Sequence, residues 1–251
     1  MRLKVISCNV FLREVSLLAA RSTATLDISY VPQGLHNYPD VLHREIQSRI
    51  DEVDAGPNGR EKLTAPPEQV AAIVLGFGLC SRALCGVAST RHRLVLPRVH
   101  DCIALLLGSH RRYRREFDAN PGTYWFSPGW IEHSTFPCGR SGELLRERFA
   151  EAYGRENADY LIEMEVASLQ AYSRAALITW PGLDRPEYHD HAARIAGEME
   201  WQVEHLQGSP ALMERILNGT WTDEDAVVAE PGQTFAIGDE QDVVKVVPCP
   251  E

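Results

Sequence analysis

Residues 94–109 read LVLPRVHDCIALLLGS, an apolar run broken in its middle by Arg98, His100, Asp101 and Cys102. A polar group buried without a partner costs about 2–7 kcal/mol. The stretch therefore demands both a covered hydrophobic element and a place where polar side chains meet partners. Read as extended chain, successive side chains alternate, so His100 and Cys102 point one way and Asp101 points back. A borderline donor and a soft donor on one face suit zinc or iron.

The same pattern of apolar runs recurs along the chain. The spacing predicts strands over 3–10, 25–32, 70–75 and 93–99, with helices over 11–20 and 41–53 between them. The run VAAIVL has no polar alternation, as befits a parallel strand covered on both faces. Further helices are expected over 141–173, 186–201 and 209–218, with strands over 175–180 and 203–206. Residues 55–67 read as a polar Gly/Pro-containing connection, 227–237 as a strand pair or turn, and the end of the chain as a tail. The expected fold is α/β, a mainly parallel open sheet with flanking helices, in two lobes with a cleft at the strand carboxyl ends. Residues 1–120 are expected to form the lobe with the Cys/His cluster and residues 121–251 the lobe with the long helices.

Placement of the reactive side chains follows. Cys8, His36, Cys80, His100 and Cys102 each fall at or just past the carboxyl end of an expected strand, the edge where open α/β sheets bind ligands. Gly76 and Gly78 form a strand-to-helix turn where backbone can approach a ligand. They make half of a dinucleotide fingerprint and lack its third glycine. The run from Tyr124 to Trp130 reads either as packing or as a lid over a flat ligand. His189 and His191 stand two apart on an expected helix and do not face one another.

Composition narrows the partners. A formal charge of -10 argues against a phosphate-neutralising surface, so no nucleic-acid partner is expected. No window approaches about 18 apolar residues, so no membrane span is expected. Six scattered cysteines fit reduced thiols or ligands in a cytoplasmic chain better than a disulfide framework.

The segments SCNVFLRE, VPQGLHNYP, VLGFGLCS, LVLPRVHDCIALLLGS and GTYWFSPGW resemble the domain of unknown function 1638 family. The likeness spans nearly the whole chain. It implies a setting beside corrinoid-dependent methyl-transfer components and assigns no activity.

Cys80, His100 and Cys102 are the expected metal ligands, with Cys8 or His36 completing the set around zinc or iron. Three ligands and an open position would make the centre catalytic; four would make it structural or electron-transferring. Arg98 would position an anionic group, or brace the site through a carboxylate. Glu14 or Asp101 would orient a ligand or move a proton. The reading is a metal-dependent enzyme acting on a small molecule, with methyl or C1 transfer linked to a corrinoid or thiol partner. Its alternatives are a non-catalytic carrier of a metal or corrinoid, with a corrinoid protein as partner, and a cysteine-nucleophile enzyme. Oligomeric state is left open.

Overall fold

The computed structural model describes residues 1–56, 69–80, 82–134, 136, 139–239 and 243–250, the side chains of 139–141 excepted. The connection expected over 55–67 and Cys138 fall wholly or mostly outside these residues.

The apolar runs become strands. β1 (Arg2–Cys8) pairs in parallel with both β2 (Thr25–Val31) and β3 (Ala72–Gly76), and β3 pairs in parallel with β4 (Leu94–Pro97). Between them lie α1 (Leu12–Ala19) and α2 (Pro39–Ala55). Proline at the first turn and Asp40 beside it suit the start of α2. Leu42, Ile46, Ile50 and Val53 recur at helical spacing and are buried against Ile6, Ile73 and Leu75. Each such side chain contributes about 1.5–3 kcal/mol of transfer free energy before conformational entropy is charged against it. Gly56 ends the helix at φ +101°, a conformation that glycine adopts freely.

β4 is shorter than expected. It stops at Pro97, which has no N–H to give, and Arg98 donates its N–H to Asp225 instead. Asp101 then opens α3 (Cys102–Leu107), its carboxylate accepting from the N–H groups of Ile103 and Ala104. Gly108 closes that helix at φ +78°, in the left-handed region. His100 and Cys102 are therefore not neighbours on a strand face: one lies in the connection and the other begins a helix. α4 (His110–Ala119) carries Arg111, Arg112, Arg114 and Arg115.

The chain divides into two compact units, residues 1–113 with 208–251, and residues 114–207. The division near residue 120 expected from the sequence keeps the C-terminal segment with the second lobe. In the structure that segment belongs with the first unit, because β8 (Ala226–Ala229) pairs antiparallel with β4. The sheet of this unit has the order β2-β1-β3-β4-β8. β9 (Gln233–Ile237) pairs antiparallel with β10 (Val244–Pro248), so the end of the chain, expected to be a tail, includes a strand.

Residues 114–207 hold β5 (Thr123–Phe126), α5 (Pro128–His133), α6 (Gly139–Tyr153), α7 (Arg155–Ser168), β6 (Arg174–Thr179), α8 (Pro186–Glu198) and β7 (Gln202–Gln207). The three strands form a parallel sheet of order β5-β6-β7. α9 (Ala211–Asn218) belongs to the first unit.

At the amino edge of the first sheet, Asp54 ends α2 and gathers several donors. Its carboxylate accepts from Ser89 Oγ at 2.8 Å and Thr90 N at 2.7 Å, and lies 2.7 Å from His92 Nδ1. Among the described residues, no helix is long and apolar enough to cross a membrane.

Candidate functional site

The order β2-β1-β3-β4 contains one topological switch point. β1 leads to a strand on one side of itself, while the next connection returns to β3 on its other side. Open α/β sheets bind ligands in the crevice beyond such a point, at the strand carboxyl ends. Cys8 closes β1 and Cys80 lies four residues beyond β3, so both thiols arise at this crevice.

Cys102 reaches the same place by backbone pairing. Leu79 donates its N–H to Val99 at 3.0 Å and Cys80 donates to His100 at 3.1 Å, which zips the segment after β3 to the segment after β4. Gly78 is what lets them close. A Cβ there would sit 2.5 Å from Asp101 Cα and 2.6 Å from its nitrogen. At Gly76 a Cβ would meet Ser7 Oγ at 2.5 Å. These two glycines, expected to give a ligand access to backbone, serve close packing of neighbouring segments.

Burial and mutual charge describe the thiols. Burial pushes Cys8 up to about 11, against a hydrogen bond from the Val10 backbone. Burial, then the charges of Cys8 and Asp101, push Cys80 up to about 12. Burial, then Asp101, Cys80 and Cys8, raise Cys102 well above the usual thiol range. The three cysteines thus sense one another's charge in one buried place. Cys80 also holds a left-handed backbone, φ +44°, rare for a residue with a side chain. The described cysteines form no disulfide.

The other expected members separate. His100 is exposed, and its ring packs against His110 with centroids 5.2 Å apart. Its backbone oxygen, accepting from Cys80, is what it gives the cluster. Asp101 is an N-cap whose carboxylate is committed to α3. Arg98 donates to the backbone oxygens of Asp223 and Val244, which makes it a brace between β4 and the C-terminal strands. Glu14 is fully buried on α1, and its charge acts on Tyr30, which pairs with Ser7 across β1 and β2. His36 sits half-buried in a short 3-10 turn beyond β2, where burial lowers its pKa.

Tyr124 and Trp130 belong to the second unit and meet other rings. Tyr124 stacks on Trp201 at 5.4 Å and packs edge-on against Trp130, Phe136 and Tyr172. These rings lie in or against that unit's hydrophobic core, as the packing alternative requires, and the lid reading loses its ground.

A second polar group was missed by the sequence reading. Among the described residues, the one set of three His, Cys, Asp or Glu ligand atoms that all lie within 4.8 Å of one another is Asp184, His189 and His205. The thiols do not meet that spacing, so an ion held by them would draw the sulfurs together. His189 and His191 diverge as their spacing implies: His191 packs against Phe126, while His189 meets residues from a loop and a strand. No short motif announces a partner sixteen positions away.

One family, described as protein of unknown function (DUF1638), matches residues 30–217. No curated protein and no solved structure matches the chain.

Proposed function

We propose a function for a chain that belongs to the DUF1638 family: Cys8, Cys80 and Cys102 hold a thiophilic metal ion, zinc or iron, for chemistry on a small molecule. Cys80 and Cys102 lie within the matched span and Cys8 precedes it. The observation that supports this reading is the gathering of three half-buried thiols beyond the carboxyl ends of β1, β3 and β4, each raised by burial and two of them also by neighbouring thiol charge.

The donor set fits such an ion. Three thiolates buried together repel one another, and a divalent cation supplies the missing charge while releasing the protons. Three protein ligands leave a position for an exogenous group. When bound, the ion would hold a thiol or similar substrate as its anion, the chemistry that methyl or C1 transfer to a thiol or corrinoid partner requires. The chain's own contribution is rigid placement: the paired segments after β3 and β4, the cap at Asp101 and the brace at Arg98 keep the ligands on fixed backbone. Glu14, buried on α1, is the residue we assign to moving a proton.

The cysteine-nucleophile alternative is weakened by the same burial. Thiols raised to about 11 and about 12 are protonated at neutral pH, whereas a nucleophile needs the thiolate. The carrier alternative shares the metal and differs in turnover.

Anaerobic purification with metal analysis tests the proposal. Wild type should carry an equivalent of zinc or iron that is lost in Cys8→Ser, Cys80→Ser and Cys102→Ser and kept in Cys249→Ser. Retention of that ion in all three variants overturns the site. Metal bound without methyl transfer to any thiol or corrinoid acceptor would favour the carrier.

A further inference from the structure

We propose that Asp184, His189 and His205 form a second metal site, taking a borderline divalent ion such as zinc or cobalt(II) through two imidazoles and one carboxylate. It stands wholly within residues 114–207 and owes nothing to the thiols of the other unit.

Three elements converge to build it. Asp184 lies in the connection after β6, His189 in the first turns of α8, and His205 near the carboxyl end of β7. His189 Nε2 is 2.6 Å from Asp184 Oδ1. The rings of His189 and His205 meet edge to face with centroids 4.6 Å apart. Thr179, 2 % exposed at the end of β6, places its Oγ1 2.7 Å from His205 Nε2. That hydroxyl fixes the ring from a rigid strand. Coordination through Nδ1 keeps the bond, and coordination through Nε2 replaces it.

The arrangement is more than a surface ion pair. An Asp–His pair needs one imidazole; here a second ring is held against the first and turned by its own partner. Orientation of a ligating histidine by an outer hydrogen bond is a regular feature of metal centres. Two nitrogens and one oxygen match zinc, cobalt, nickel or ferrous iron better than calcium or cuprous copper. The side chains of His189 and Asp184 are 40 % and 46 % exposed, so an ion can enter from solvent and keep a water or an incoming anion as a further ligand. Three protein ligands with an open position is the pattern of reactive rather than structural zinc. Its place at the carboxyl edge of a parallel sheet is where α/β folds collect ligands.

The test uses the full chain, anaerobic, metal-stripped and titrated with cobalt(II). Thiolate ligands give an intense near-ultraviolet charge-transfer band, while a nitrogen and oxygen site gives only weak visible bands. Expected are two classes of bound cobalt, one with and one without the thiolate signature. His189→Ala, His205→Ala and Asp184→Asn should each weaken the second class by at least about tenfold and leave the charge-transfer band and the thermal melt unchanged. Cys102→Ser should do the reverse, so failure of either site is seen separately. Equal cobalt stoichiometry and affinity in His189→Ala, His205→Ala and wild type would overturn the proposal.

Discussion

The two edges of the first sheet carry polar clusters of opposite character. At the amino edge, Asp54 receives hydrogen bonds from Ser89 and Thr90, and the His92 hydrogen bond with those from Thr90 and Ser89 outweighs burial, holding its carboxyl below the usual range. At the carboxyl edge, burial and neighbouring charge drive three thiols the other way. One group is completed by the fold itself. The other is a set of half-buried thiols held in their neutral form, a state that costs the fold little and that binding of a cation would change. The contrast separates a polar cluster that holds a protein together from one for which we propose an outside ligand.

Four changes test that contrast. Asp54→Ala removes an acceptor shared by Ser89, Thr90 and His92 and should cost about 3–5 kcal/mol in denaturant unfolding. A loss under about 1 kcal/mol would mean that the amino edge is not the structural one. Gly78→Ala puts a Cβ 2.5 Å from Asp101 Cα, where backbone must give, and should cost about 1–3 kcal/mol while abolishing metal uptake at the thiols alone. Acid should act at the amino edge first. Because Asp54 is lowered in the folded state, its stabilisation is fully present above the unfolded carboxylate value of about 3.9 and is lost as pH falls through the folded value. An Asp54→Asn variant should accordingly show a flatter loss of melting temperature between about pH 4 and pH 2 than wild type. The smallest stability effect belongs to the thiols: Cys102→Ser should change unfolding free energy by less than about 1 kcal/mol yet remove the thiol-bound ion. A large loss of stability there would make the carboxyl edge structural as well.

Continuous apolar runs made the first sheet legible. VAAIVL and LVLP become the buried β3 and β4, and the spacing of Leu42, Ile46, Ile50 and Val53 becomes α2. Their signal is burial, which a sequence displays directly. Cys8, Cys80 and Cys102 were placed at strand ends by the same signal. His100 was misread because an extended chain was carried through HDC. The stop at Pro97, the aspartate before CIALLL and the glycine after it are helix-boundary signs already present in the letters. Arg98 could not be assigned, since its partners Asp223 and Val244 lie more than a hundred residues away. β10 was read as a tail because a short strand with Lys245 and Pro248 looks polar until β9 supplies its pairing. Asp184, His189 and His205 were invisible for the same kind of reason: a turn, a helix and a strand each give one residue, and only folding adds them.

The split of the first unit around residues 114–207 also sets an order of events during synthesis. The second unit has all of its residues once position 207 has emerged from the ribosome. The first lacks α9, β8 and the strands after it until the residues to 248 have followed. Its β4 edge therefore waits unpaired while the inserted unit completes itself. Of the two units, the one that begins first completes itself last, and the unpaired side of β4 is exposed during the interval.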